Sequence, residues 1–238
     1  MESSKSQYKK ILPFGYSHVV VARTLAVARL DVFHAPAYSI PLQYRGPSVL
    51  TVHDCAIYDH PEWFPRGQHF AKEIVVPASL GKARRIIAVS HATKKMIVRL
   101  FGTPAERITV VYEGVDAPKS LRMTHTAENA FRERFGLRDR FLFFVGTIEP
   151  RKNLALLVQA FDRLIEKTYP RFKDVQLVIA GAKGWDVAPI FHAISHATWS
   201  SNIRVVGYVS EEEKQFLLRN ATIFVFPSLW EGFGLPIL

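Results

Sequence analysis

Two short segments of the 238-residue sequence combine residue types that suit a phosphate-bearing ligand. The first, Gly-Thr-Ile-Glu-Pro-Arg-Lys-Asn at residues 146–153, joins a predicted strand to a predicted helix. Ligands of open α/β sheets lie beyond the carboxyl ends of the strands, where the N–H groups of a helix amino terminus favour an anion. Arg151 and Lys152 add two cations there, and an arginine can hold a phosphate through two parallel hydrogen bonds. The segment predicts a phosphate site, and a solvated basic loop is the alternative.

The second segment, Pro-Ser-Leu-Trp-Glu-Gly-Phe-Gly-Leu-Pro at residues 227–236, also follows a predicted strand. Gly232 and Gly234 allow backbone amides to approach a ligand closely, as in other phosphate-binding turns. The carboxylate of Glu231 can accept hydrogen bonds from sugar hydroxyls. A tight strand-to-helix turn with a capping glutamate is the alternative. Because both segments end strands of one predicted sheet, we expect a diphosphate to lie between them.

These segments belong to a pattern of short β-branched runs that alternate with amphipathic helical stretches, which is typical of parallel βαβ units. The pattern occurs twice and lapses between residues 113 and 140, so the domain junction is predicted there. The sequence predicts an α/β fold of two Rossmann-like domains, 1–116 and 117–238, each with a parallel sheet flanked by helices. The predicted strands are 31–34, 48–53, 85–90, 108–112, 141–145, 175–180, 203–207 and 222–226, and the predicted helices include 90–101, 127–135, 153–167, 186–197 and 210–220.

Composition narrows the class of protein and of partner. With 48% hydrophobic and 22% charged residues, the chain is typical of globular proteins. Its single cysteine, Cys55, excludes an internal disulfide and a multi-cysteine zinc site, so a cytoplasmic location is expected. The formal net charge of +10 favours a partner that carries phosphate, namely a nucleotide, an anionic lipid or a nucleic acid. Much of the excess charge lies on or beside one predicted helix, at Lys82, Arg84, Arg85, Lys94, Lys95 and Arg99, with a solvated helix face as the alternative.

Other chemistries lack their motifs. The sequence contains no G-x-G-x-x-G after a strand, no P-loop and no H-E-x-x-H, which disfavours dinucleotide oxidoreductases, P-loop NTPases and zinc proteases. It also lacks a recognisable nucleic-acid motif with interleaved aromatic and basic residues, so no nucleic-acid partner is expected. No resident cofactor and no metal are predicted.

Together the two segments resemble glycosyltransferase family 4, whose members carry a Gly-Thr-x-Glu-Pro-Arg-Lys-Asn segment followed by a Pro-Ser-x-x-Glu-Gly-Phe-Gly-Leu-Pro segment. The chain is most similar to the mannosyltransferase-like branch. The resemblance runs from about residue 30 to the last residue and includes residues 31–34, 51–54, 87–90 and 112–116. It implies a GT-B fold and transfer of a hexose, mannose from GDP-mannose, with retention of configuration, to a glycan or lipid-linked acceptor. The donor phosphate would act as the base in a front-face attack, so no protein nucleophile would be needed.

The resemblance also assigns roles to residues by matched position. Glu231 matches the first glutamate of a Glu-x7-Glu motif that orients the transferred sugar, and His53 matches a histidine that faces the sugar, with His34 as its rival. Both are therefore expected to be catalytic. The residues expected to bind the donor are Gly146, Thr147, Arg151, Lys152, Gly232, Phe233, Gly234 and Leu235, together with Tyr208 and Val209 where the nucleobase packs.

The chain departs from the family pattern in three places. The second glutamate of the motif would fall just beyond Leu238, the glycine-rich acceptor-side elements would precede Met1, and Glu113 stands where Asn is common. Both domains are therefore expected to be incomplete. An inactive or remnant sugar-nucleotide-binding protein from a truncated gene is the alternative function. Contact with the inner face of an anionic membrane is expected from the basic helix.

Overall fold

The computed structural model describes residues 16–116 and 124–238. Contacts divide the chain into two compact units. The first unit is Met1–Gly114 with Glu231–Gly234, and the second is Val115–Trp230 with Leu235–Leu238. The division falls two residues before the predicted junction at 116/117, and it groups the glycine turn with the first unit, whereas the sequence places that turn in the second domain.

The first unit contains a parallel sheet of four strands in the order β1-β2-β3-β4. The central strands are short apolar runs because helices cover both faces of such a sheet. Their bounds are Phe33–Ala35 for β1, Ser48–Val52 for β2, Arg85–Ala88 for β3 and Ile108–Val110 for β4. The helices of this unit are α1, Val21–Val27; α2, Ala56–Asp59; α3, Val76–Lys82; and α4, His91–Phe101.

The second unit contains a parallel sheet in the order β7-β6-β5-β8. After β7 the chain returns to the other side of β5, so the topological switch point lies between β5 and β8. Ligands of doubly wound sheets bind at such a point. The strands are β5, Phe141–Val145; β6, Gln176–Ala180; β7, Ile203–Gly207; and β8, Ile223–Phe224, and the helices are α5, His125–Phe135; α6, Leu154–Thr168; α7, Ala188–His196; and α8, Glu211–Asn220.

The side chains of β5 alternate between two hydrophobic clusters, as successive strand residues must. Phe144 packs in a cluster that contains Leu157 and Phe161 of α6. Phe141 and Phe143 point to the opposite face and pack with Phe216 of α8. Helices therefore cover both faces of this sheet, and its functional groups are confined to the strand ends.

The predicted fold class is confirmed, although four of the eight predicted strands end earlier than the sequence suggests. His53 and Tyr112 lie beyond β2 and β4, in the loops that follow these strands. The predicted helix at 186–197 begins later, at Ala188, because Asp186 has a φ of 45°. A capping box opens α8, since the Ser210 hydroxyl accepts from the Glu213 N–H at 3.2 Å and the Ser210 N–H donates to the Glu213 carboxylate at 2.7 Å.

Candidate functional site

Three glycines draw the strand ends of the second unit close together. The N–H of Gly146 donates to Ala180 O at 3.0 Å, and the N–H of Gly181 donates to Gly207 O at 2.7 Å. A Cβ on Gly181 would lie 1.8 Å from Gly146 O, and its φ of +144° is one that side-chain-bearing residues rarely adopt. Only glycine fits at position 181, and the backbone at this edge is correspondingly compact.

The loop after β5 is supported by the loop after β6, at residues 181–184. Ile148 N donates to Ala182 O at 2.9 Å, and Gly184 N returns a bond of 2.9 Å to Ile148 O. A Cβ on Gly184 would lie 2.8 Å from the Thr147 Cγ2. The sequence analysis did not identify this support, although Gly181 and Gly184, which follow β6, were the available signal. Gly146 and Thr147 are thus fixed by backbone pairing.

Arg151 links the loops on the two sides of the switch point. Its Nε and Nη2 donate to one oxygen of Glu149 at 3.1 and 2.9 Å, and its Nη1 donates to Trp230 O at 2.8 Å. The main-chain oxygen of Arg151 accepts from Leu229 N at 2.9 Å. The side chains of Arg151 and Glu149 are only 15% and 4% exposed. The predicted phosphate ligand is therefore also a buried structural contact, and its partner Glu149 was not identified from sequence.

Lys152 is a buried cation at the same switch point. It ends the short 3₁₀ turn Pro150–Lys152, and its Nζ lies 5.6 Å from the centre of the Phe226 ring. The next residue, Asn153, has a φ of 57° and donates from Nδ2 to Pro227 O at 3.3 Å. These contacts hold the charge of Lys152 between the segments that follow β5 and β8.

Tyr208 and Val209, predicted to pack on a nucleobase, follow β7 and differ in accessibility. The Tyr208 side chain is 80% exposed, whereas that of Val209 is buried in the cluster with Phe216. Tyr208 can offer a ring to a ligand. Val209 can offer only its backbone, so the two positions cannot contribute in the same way, and their contact with a base stays a prediction.

In the first unit, His53 is held by both ring nitrogens. Its Nδ1 lies 2.8 Å from Glu113 Oε1, and its Nε2 lies 2.9 Å from Pro36 O. The main-chain oxygen of His53 accepts from the Thr93 hydroxyl at 3.1 Å. Its rival, His34, is the middle residue of β1 and bonds the Thr51 hydroxyl at 2.8 Å. Since ligands of such sheets lie beyond the strand ends, the geometry favours His53.

The glycine turn packs on this histidine. A Cβ on Gly232 would lie 1.9 Å from His53 O and 3.3 Å from the Cβ of Asp54. The Phe233 ring stacks on the Tyr112 ring with centroids 5.7 Å apart. Gly234 has a φ of +99°, and Glu231 precedes these residues in the same partly buried turn. Two positions chosen from sequence, His53 and Gly232, are thus in direct contact, while Leu235 is grouped with the second unit.

Near His53 in the chain or the fold, the Tyr38 hydroxyl and the Cys55 thiol stay neutral, and the Asp54 carboxylate accepts a hydrogen bond. The Tyr38 hydroxyl accepts from Asp54 N at 3.1 Å and donates to the Asp54 carboxylate at 3.4 Å. Burial and the Asp54 charge raise the pKa of Tyr38 well above its usual range. Burial, with smaller effects of Asp54 and Asp59, raises the pKa of the Cys55 thiol to about 12. Neither group ionises near neutral pH, so neither supplies a nucleophile.

We expect Cys55 to resist alkylation in the folded protein. Thiol reactivity requires the thiolate, and this thiol is both buried and shifted to a high pKa. Iodoacetamide labelling at mildly alkaline pH, followed by mass spectrometry, should modify Cys55 only after urea is added. Equal labelling rates with and without urea would contradict the assignment.

We also expect the His53–Glu113 pair to be weakly coupled in stability. Because the two side chains are 40% and 22% exposed, solvent screens the pair, and a coupling of about 0.5–1 kcal/mol is expected. A double-mutant cycle of His53→Leu and Glu113→Leu, followed by urea unfolding, measures this energy. Glu113→Gln keeps an acceptor oxygen and serves as the control. Strictly additive single variants would show that the two residues do not interact.

The basic residues identified from sequence do not form one helix face. The Nζ of Lys94 donates to Ile108 O at 2.6 Å, and the guanidinium of Arg99 pairs with Asp59. Lys82 ends α3, Arg84 precedes β3 and Arg85 begins β3. Three of the six basic residues thus lie on α4, and the expected membrane contact stays a prediction.

Among the residues that the structure describes, no group of three or more His, Cys, Asp or Glu side chains could hold a metal ion. None of their helices is long and apolar enough to cross a membrane.

Comparisons with known proteins agree with this architecture. Residues 6–118 match the family model described as Glycosyltransferase Family 4, and residues 126–238 match that of Glycosyl transferases group 1. O-antigen chain mannosyltransferase B of Escherichia coli is 31% identical over 87% of this chain and 53% of its own length. The glycogen synthase of Mycobacterium tuberculosis is 30% identical over 88% of this chain and 49% of its own length. The chain thus spans about half the length of these relatives.

Solved structures share the fold. Anabaena HepE in complex with UDP and glucose superposes with a TM-score of 0.71 at 20% identity, covering 94% of this chain and 60% of that one. WaaG, a glycosyltransferase involved in lipopolysaccharide biosynthesis, superposes with a TM-score of 0.67 at 14% identity, covering 91% of this chain and 58% of the WaaG chain. The two parallel sheets thus have the GT-B fold of these solved structures. Within that class, the chain belongs to the family 4-like glycosyltransferases.

Proposed function

We propose that this glycosyltransferase transfers mannose from GDP-mannose to a glycan or lipid-linked acceptor with retention of configuration. The observation that supports a diphosphate donor most directly is the pair of fixed cations, Arg151 and Lys152, at the switch point of the second unit. The choice of mannose rests on the mannosyltransferase relative that is 31% identical.

The leaving diphosphate gains negative charge as the sugar bond breaks, and cations already in position stabilise that charge without reorganisation. Arg151 is held by Glu149 and Trp230 O, and Lys152 is buried, so both are positioned before the donor binds. The N–H groups of Gly232, Phe233 and Gly234 are proposed to add hydrogen bonds to the diphosphate.

Two further residues are proposed to act on the transferred sugar. The carboxylate of Glu231 accepts hydrogen bonds from its hydroxyls, and His53 faces it with a ring fixed at both nitrogens. A donor-phosphate oxygen takes the proton of the acceptor hydroxyl, the acceptor oxygen bonds to the anomeric carbon, and the diphosphate leaves from the same face. No protein nucleophile takes part, and the neutral Cys55 thiol is consistent with this scheme.

Nucleotide titration tests the donor proposal. Calorimetry with GDP, UDP, ADP and guanosine should show selective binding of GDP and weak binding of the nucleoside. UDP is included because Anabaena HepE was solved with UDP. Tighter binding of UDP than of GDP would replace guanine with uracil as the proposed base. Absence of binding to any diphosphate would refute the donor site. Incubation with GDP-mannose and an oligosaccharide acceptor, with the anomer assigned by NMR, then tests transfer and its stereochemistry.

We also propose that the protein works in the cytoplasm at the inner face of an anionic membrane, where a lipid-linked acceptor would be found. The support is the net charge of +10. Such binding weakens as salt rises, because exposed charges are screened beyond about 8 Å at physiological ionic strength.

A further inference from the structure

Basic residues precede the strands at the amino-terminal edge of the first sheet, which is the edge opposite His53. Arg29 precedes β1, Arg45 precedes β2 and Arg107 precedes β4. Lys82, Arg84 and Arg85 lead into β3. The carboxylates of the same segments are Asp31 and Glu106. Cations therefore outnumber acids at an edge where the donor chemistry has no role.

Two adjoining clefts open at this edge and share Tyr44, Arg45 and Gly46 in their walls. One has a volume of about 330 Å³ and the other of about 390 Å³, which is large enough for a phosphate group with part of an apolar chain. Among the residues that line the two clefts in the described chain, none is acidic. The first is also lined by Leu42 and Lys82, and the second by Leu25, Ala26, Arg29, Leu30 and Gln43.

Lys82 and Arg45 of the clefts, and His18 beside them on Leu42, are close enough for their positive charges to disfavour one another. Burial and then the charge of Arg45 lower the pKa of Lys82, whose Nζ donates to Leu42 O. Burial and then the charge of Lys82 lower the pKa of His18, whose Nδ1 accepts from Leu42 N at 3.3 Å. An anion between these groups would relieve that repulsion.

The nearby carboxyl end of α3 does not oppose an anion. Helix carboxyl termini carry partial negative charge, which would repel a phosphate. Here the Nη2 of Arg107 donates to Leu80 O at 2.9 Å, to Gly81 O at 3.2 Å and to Ala83 O. The guanidinium covers these carbonyls and offsets their charge.

We propose that these clefts bind a phosphate group carried on an apolar chain. Arg45 and Lys82 contact the phosphate, while Leu25 and Leu30 contact the apolar part. The site is separate from the sugar site, because the five residues of β2 place the two edges on the order of 15 Å apart. The proposal rests on the proposed membrane contact only for the source of the ligand, a membrane lipid.

The test compares two variants that each remove two positive charges. Arg45→Gln/Lys82→Gln changes the clefts, and Lys95→Gln/Arg99→Gln changes α4. Binding to phosphatidylcholine vesicles containing phosphatidic acid should weaken about thirtyfold in the cleft variant, since each basic side chain near an anionic surface contributes about fivefold. The α4 variant should stay close to wild type. Equal losses in the two variants, or full binding by the cleft variant, would overturn the site.

Inorganic phosphate distinguishes the two sources of ligand. If phosphate alone raises the melting temperature of the wild type and not that of the cleft variant, a free phosphate is sufficient. If only the vesicles discriminate, the lipid is required, and Leu30→Gln should then weaken vesicle binding. A wild type that binds neither probe refutes the cleft.

Folding and the donor site are checked separately. Both double variants should melt with the wild type and bind GDP equally, and Arg45→Gln alone replaces the double variant if the latter fails to fold. A protein that binds these vesicles through the clefts and binds no nucleotide would leave this site standing and refute the donor proposal.

Discussion

Arg151→Ala is expected to lower the stability of the second unit by about 3–5 kcal/mol, which is the usual cost of removing one partner from a buried ion pair. The variant leaves the Glu149 carboxylate, only 4% exposed, without the two hydrogen bonds that Arg151 donates. It also removes the donor to Trp230 O. Urea or thermal unfolding measures the effect.

The matched control removes both charges. In Glu149→Gln/Arg151→Met no buried carboxylate is left unpaired, so most of the lost stability should return. Arg151→Lys retains the charge but loses the guanidinium that contacts Glu149 and Trp230 O together. Its stability should therefore lie between those of Arg151→Ala and the double variant. If Arg151→Ala melts with the wild type, the pair has no structural role.

The sequence predicts this fold well because a parallel sheet covered by helices on both faces needs strands that are apolar throughout. Residues 141–145, Phe-Leu-Phe-Phe-Val, are a short apolar run typical of a strand buried on both faces, and they form β5 with the predicted bounds. The last strand is predicted at 222–226 and observed at Ile223–Phe224, because only two of its residues pair with β5. Strand ends depend on neighbouring strands, which local sequence does not specify.

The candidate site was predicted less completely, for a different physical reason. The types and spacing of Arg151, Lys152 and Gly232 indicate phosphate chemistry, but they do not show which partners these residues have. In the sequence, Glu149 is indistinguishable from a solvent-exposed loop carboxylate. In the structure, it is buried against Arg151. Similarly, Gly232 reads as a ligand-binding glycine, whereas in the structure it also lies against His53 O, a contact between residues distant in the chain.

Lys152→Met is expected to weaken the binding of GDP by about 10- to 150-fold, which corresponds to the loss of one charge-assisted hydrogen bond of about 1.5–3 kcal/mol. The methionine side chain fills a similar volume beside Phe226, so the packing around position 152 should be retained. Guanosine lacks the diphosphate, and its affinity should be the same in both proteins. Calorimetry of the two ligands with wild type and variant separates the phosphate contribution from any general damage to the site. A variant that loses guanosine and GDP affinity in equal proportion would mean that Lys152 shapes the nucleoside pocket, and one that loses neither would remove this lysine from the proposed donor site.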